Sequence, residues 1–205
     1  MELRMHMKQK IHFIGIGGIG VSALAKYYLA KGYQVSGCDL ARSEITDQLK
    51  AMGAKIRIGK PDSTCVRSGT SKIIYSPAVP ENHLERTAAR KQGIPEFSYP
   101  EALGELTKQY FTIAVSGTHG KSTTTSIIGL LLTKAGLDPT VIVGTKLKEF
   151  GDSNCRVGKG KYLVIEADEH FASFLNYWPK IIVLTTIEAD HLDYWKTIKN
   201  LMMGF

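Results

Sequence analysis

The sequence predicts an α/β protein made of two parallel-sheet units in succession. Apolar runs of strand length alternate with helix-length segments along the chain, the pattern of a parallel sheet with helices on both faces. A strand, a glycine loop and a helix occur in that order twice, once from residue 10 and again from residue 111. Glycines and prolines punctuate the segments. At 205 residues the chain has room for one or two domains.

Residues 10–16 (KIHFIGI) read as a short buried strand, and residues 19–31 as a helix stopped by Gly32. Residues 35–38 form a second strand that ends at Asp39. A helix over 44–52 stops at Gly53, and a strand over 73–75 ends before Pro77. Residues 81–92 read as a charged helix stopped by Gly93, and 100–108 as one more helix. The pattern then restarts with a strand at 111–115, a glycine loop and a helix over 122–135 stopped by Gly136. Strands follow at 141–143, 162–165 and 181–185. The expected units are residues 1–107 and 108–205, with no Pro/Gly/Ser-rich linker between them and no internal sequence repeat.

Composition narrows the function classes. With 43% hydrophobic and 22% charged residues the chain is neither disordered nor of low complexity. No apolar run reaches the ~18 residues of a bilayer span, and no signal-peptide pattern opens the chain, so membrane insertion is not expected. The net charge of +7 comes mostly from residues 1–60, scattered rather than striped. A small anionic ligand accounts for that bias, and no nucleic-acid partner is expected. Three separated cysteines without a C-x-x-C predict neither a disulfide framework nor a zinc cluster, and fit a cytoplasmic location.

The first candidate site is Gly15-Ile16-Gly17-Gly18-Ile19-Gly20, a G-x-G-x-x-G between strand and helix that makes the first unit Rossmann-like. Gly15 permits the turn, Gly17 lets a diphosphate approach the backbone, and Gly20 lets the helix pack closely. The N–H groups at the helix start attract phosphates. Asp39, ending the next strand, is placed to accept a ribose hydroxyl.

The second candidate site is Gly117-Thr118-His119-Gly120-Lys121-Ser122-Thr123, a P-loop-type turn that opens a helix. Its amides cradle phosphates, Lys121 neutralises their charge, and the Ser122 hydroxyl is suited to Mg²⁺. The usual phosphate-loop pattern has glycine where this chain has Val115, so the loop is a shorter variant. A dinucleotide-dependent oxidoreductase has no use for a second, lysine-bearing phosphate turn.

Between Glu166 and Asp193 lie six acids (Glu166, Asp168, Glu169, Glu188, Asp190 and Asp193) against the single Lys180. Two short clusters, Glu166-Ala167-Asp168-Glu169 and Glu188-Ala189-Asp190-His191, follow apolar strands. Ligands of parallel sheets bind at the carboxyl ends of strands, so Glu166 and His191 are expected beside the phosphate loop, where oxygen donors suit magnesium. Histidine is not a usual ligand for that ion. Asp168, Glu169, Asp190 and Asp193 are expected to be solvated or supporting. His12 reads as structural, and Tyr27, Tyr28, Trp178 and Trp195 as packing residues.

Six stretches, in order, resemble the Mur ligase family: HFIGIGGIGVSALA at 12–25, SGCDL at 36–40, SPAV at 76–79, SGTHGKSTTT at 116–125, EADE at 166–169 and TTIEADHLDY at 185–194. The resemblance implies a first domain that holds the UDP of UDP-N-acetylmuramate, with Gly15, Gly17, Gly18, Ile19 and Gly20 at the diphosphate and Asp39 and Ser76 near the uridine. It implies an ATP-binding second domain with residues 117–123 on the phosphates. Lys121, Glu166 and His191 would be catalytic, and Ser122, Glu166 and His191 would hold Mg²⁺. The implied reaction is ATP-dependent: the lactyl carboxylate becomes an acyl phosphate, and the amine of L-alanine displaces phosphate to give an amide, a step of peptidoglycan precursor synthesis. A ligase that recycles murein peptide shares these motifs, and a non-catalytic fragment binding UDP-sugar and ATP is a further alternative. Ser122 stands where relatives carry threonine, Thr186 where asparagine is usual, and His170-Phe171 where a polar pair is usual. The family has a third, C-terminal domain. The chain stops at Phe205, inside the central domain, so it is expected to lack that domain and to be a poor ligase alone.

Overall fold

The computed structural model describes residues 9–188 and 192–204. Two compact units divide the chain, Met1–Tyr99 and Pro100–Phe205.

The first unit runs β1 (Lys10–Ile14), α1 (Ile19–Ala30), β2 (Gln34–Asp39), α2 (Glu44–Ala51), β3 (Lys55–Ile58), β4 (Thr70–Tyr75), α3 (Leu84–Lys91) and β5 (Glu96–Ser98). Its five strands are all parallel, in the order β3-β2-β1-β4-β5. β1 is central and covered on both faces, so burial runs unbroken from Ile11 to Ile14 rather than alternating, with His12 the one polar side chain among Ile11, Phe13 and Ile14. The strand order reverses at β1, so the crevice of this doubly wound sheet opens where β1 and β4 end. The Ser43 hydroxyl accepts the Thr46 N–H at 3.2 Å while Thr46 Oγ1 accepts the Ser43 N–H at 2.9 Å, a reciprocal cap that fixes the start of α2. α3 begins at Leu84 rather than near 81 because His83 is its cap: Nδ1 accepts the Glu85 N–H at 3.3 Å.

The helix α4 (Tyr99–Thr107) begins on the last residue of the first unit, and the second unit continues with β6 (Phe111–Ser116), α5 (Lys121–Lys134), β7 (Thr140–Leu147), β8 (Ser153–Arg156), β9 (Tyr162–Glu166), β10 (Ile181–Leu184), α6 (Leu192–Trp195) and α7 (Ile198–Gly204). Its sheet has the order β10-β6-β9-β7-β8. All pairs are parallel except β7–β8, which departs from the all-parallel expectation. β7 continues past Val143, turns through Gly151 (φ +73°) and Asp152 (φ +54°), and returns as the edge strand β8. Gly129 lets α5 settle on the sheet: a Cβ there would lie 2.8 Å from Val141. Among the described residues no helix is long and apolar enough to cross a membrane.

Candidate functional site

Two candidate sites occupy equivalent places, each after the first strand of its sheet in chain order, β1 in one and β6 in the other. In the first unit, Gly15 has φ +72°, and the N–H groups of Gly15 and Ile16 both donate to the Cys38 carbonyl at 3.0 and 3.1 Å. The turn is therefore fastened to β2. A Cβ on Gly15 would come within 3.1 Å of Ser76, whose own N–H donates to the Ile14 carbonyl at 3.0 Å. Gly15, Gly17, Gly18, Ile19, Gly20, Asp39 and Ser76 thus gather where β1, β2 and β4 end. Gly18 caps α1 without a side-chain acceptor, which leaves that helix start suited to an external anion.

Asp39 is bonded to the turn itself. Its Oδ2 accepts the Gly17 N–H at 2.7 Å, and Oδ1 accepts the Ala41 N–H at 3.3 Å. A Cβ on Gly17 would lie 2.9 Å from the same Oδ2, so the glycine is required for that approach. Gly20 meets the ring of Tyr99, which a Cβ would approach to 2.6 Å, rather than only the neighbouring strand.

In the second unit, the loop between β6 and α5 turns on Gly117 (φ +121°) and Gly120 (φ +81°). A Cβ on Gly117 would overlap the Thr185 hydroxyl and lie 2.7 Å from the Thr186 carbonyl oxygen. The segment after β10 holds the loop in shape. The Thr118 N–H donates to the Thr186 carbonyl at 2.8 Å, the His119 N–H to Thr186 Oγ1 at 3.1 Å, and Thr185 Oγ1 to the His119 carbonyl at 2.6 Å. The Glu188 N–H completes the seam on Thr118 Oγ1 at 2.9 Å. Thr186 therefore supplies both a carbonyl and a hydroxyl to the loop. His119 and Glu188 approach at 3.6 Å but are both solvated, so that contact contributes little.

Two side-chain pairs form the chemical centre. Ser122 Oγ lies 3.0 Å from both oxygens of Glu166, and Oε2 of Glu166 also accepts the Gly144 N–H at 2.7 Å. These are hard oxygen donors on adjoining elements, the donor type that Mg²⁺ takes. Lys121 Nζ donates to the Gly117 carbonyl at 2.7 Å and to Glu169 at 2.9 and 3.2 Å. Glu169 is 0% exposed, so it is not solvated: a buried carboxylate needs a cation, and Lys121 is that cation. The Glu169 carbonyl accepts the Trp195 indole N–H at 3.1 Å, so Trp195 anchors α6 in addition to packing. Trp178 is exposed, under the Lys108 ammonium. His191, expected at this centre, lies outside the described residues, as does Asp190. Sequence reasoning did not single out Gly144 or give Glu169 its role. A glycine inside an otherwise apolar strand run was the signal available for the first.

A family model described as "Mur ligase family, catalytic domain" matches residues 10–111, and one described as "Mur ligase middle domain" matches residues 115–204. The chain belongs to the Mur ligase family. Among Mur ligases, the UDP-N-acetylmuramate–L-alanine ligase of Geotalea daltonii is 44% identical over 197 residues, which is 96% of this chain and 42% of that protein. Its counterpart in Anaeromyxobacter dehalogenans (strain 2CP-1 / ATCC BAA-258) is 43% identical over 205 residues, 100% of this chain and 44% of that protein. The crystal structure of the Thermotoga maritima UDP-N-acetylmuramate–alanine ligase MurC superposes with a TM-score of 0.85 at 29% identity, covering 95% of this chain and 45% of that one. A UDP-N-acetylmuramate:L-alanyl-gamma-D-glutamyl-meso-diaminopimelate ligase from Neisseria meningitides gives 0.86 at 28% identity, covering 97% and 66%. The chain spans about two fifths of the length of these curated Mur ligases.

Proposed function

We propose that this chain carries the UDP-sugar and ATP sites of a ligase that joins L-alanine to the lactyl carboxylate of UDP-N-acetylmuramate. The reading rests above all on the phosphate loop whose Lys121 and whose Ser122–Glu166 pair lie side by side. The first unit, with Gly15, Gly17, Gly18, Ile19, Gly20, Asp39 and Ser76, takes the UDP moiety. The second takes ATP on residues 117–123. The curated relatives at 43–44% identity carry the alanine-ligase name, which favours L-alanine over a murein peptide.

The chemistry follows from positioning and charge. The N–H groups at the start of α5 and the Lys121 ammonium draw the β- and γ-phosphates to the loop and spread the charge that builds as the γ-phosphoryl moves. Ser122 and Glu166, with His191 as a third candidate, would hold Mg²⁺. That ion, when bound, neutralises phosphate charge. The lactyl carboxylate takes the γ-phosphoryl group, leaving ADP and an acyl phosphate. The amine of L-alanine then forms the amide and releases phosphate. No side chain needs to become a covalent intermediate. A cytoplasmic location suits such soluble substrates.

Calorimetric titration of this chain tests the two sites separately. UDP-N-acetylmuramate is expected to bind without metal, and ATP to bind in a Mg²⁺-dependent way that Lys121→Ala abolishes. Loss of neither ligand's heat on any site substitution, or no heat at all, overturns the reading. Transfer of radiolabelled alanine to UDP-N-acetylmuramate then tests the reaction itself.

A further inference from the structure

Beneath the glycine turn the first unit buries titratable groups that neither candidate site uses. His12 of β1, Cys38 of β2 and Glu85 of α3 are 1%, 7% and 0% exposed. A ring nitrogen, the sulfur and a carboxylate oxygen all lie within 4.8 Å of one another. His12 Nε2 meets Glu85 Oε2 at 2.7 Å, and Nδ1 meets Ser36 Oγ at 2.9 Å. The other carboxylate oxygen accepts the Asp62 N–H at 3.4 Å.

Three physical points bear on this cluster. Nitrogen, thiolate and carboxylate donors together suit a borderline ion such as Zn²⁺, whereas magnesium and calcium avoid sulfur. One thiolate, one carboxylate and a neutral imidazole exactly balance a divalent charge, and an interior site favours neutrality. Ser36 on Nδ1 orients the ring so that Nε2 faces the cluster, the arrangement seen for metal-bound histidines, whose second nitrogen is held by a neighbour.

We infer that His12, Cys38 and Glu85 form a Zn²⁺-class site that ties β1, β2 and α3 together. The Cys38 carbonyl holds the N–H groups of Gly15 and Ile16, so the ion would brace the glycine turn from behind.

Co²⁺ reports on the site directly. Titration of the metal-stripped chain is expected to give one equivalent with a thiolate-to-cobalt charge-transfer band and the strong visible absorption of a low-coordinate site, both removed by Zn²⁺. Cys38→Ser abolishes the charge-transfer band, His12→Gln weakens binding by at least roughly tenfold, and Cys155→Ser changes neither. An absent band, or a band that survives Cys38→Ser in folded protein, overturns the assignment. If Cys38→Ser does not fold, X-ray absorption of the unaltered chain loaded with Zn²⁺ decides: a sulfur neighbour supports the site, and only nitrogen and oxygen neighbours refute it.

Discussion

Lys121 and Glu169 form a pair in which charge and stability are coupled. Glu169 has no access to water, so replacing Lys121 with alanine leaves a buried carboxylate without its cation. That loss is expected to cost about 3 kcal/mol in urea unfolding, besides nucleotide binding. Adding Glu169→Gln removes the stranded charge, so the double variant should unfold at higher urea than Lys121→Ala alone. Gly144 offers a test that leaves every charged group in place. A Cβ there would sit 2.8 Å from Glu166 Oε2 and compete with the N–H contact that aims the carboxylate. Gly144→Ala should therefore weaken Mg²⁺-dependent ATP binding several-fold by calorimetry while leaving UDP-N-acetylmuramate binding unchanged.

At the scale of elements, the His83 cap makes α3 sensitive to acid. Burial holds this imidazole below its ordinary 6.5. An unfolded chain takes up the proton near 6.5 and the folded one only at lower pH, so the contribution is complete above 6.5 and fades as pH falls below it. His83→Asn keeps an acceptor at the cap and removes the titration. Its urea midpoint should vary less than that of the parent protein between pH values on either side of 6.5. The elements also differ in how plainly the sequence announced them. β1, β6 and β9 are buried on both faces, so their apolar runs stand out. β3 and β5 are short edge strands, half-exposed or partly buried, and β8 reads Ser-Asn-Cys-Arg; pairing with a neighbour creates them, and hydropathy does not record pairing. The site divides in the same way. The meeting of Ser122 and Glu166 was legible because one opens the helix after a glycine loop and the other ends an apolar strand, and both features stand in the sequence. Glu169 and the 185–188 seam depend on how irregular segments fold back, for which no periodicity exists.

Across the molecule, β10 ends the second sheet, with Ile181, Ile182 and Leu184 exposed by 44%, 63% and 43%. Such an edge is a template for pairing. The 205-residue chain is expected to associate as its concentration rises in sedimentation experiments, and Ile182→Lys to reduce that association. Both units share a subtler property. Each candidate phosphate turn already holds one of the protein's own carboxylates: Asp39 on the Gly17 amide and Glu169 on the Lys121 ammonium. Under the function proposed above, a phosphate arriving at Gly17 would compete with the Asp39 carboxylate for that amide, and one arriving at Lys121 would share the ammonium with the buried Glu169. A bare inorganic anion would gain little in that competition, whereas a ligand with further handholds on sugar and base would prevail, so the resident carboxylates would favour whole nucleotides.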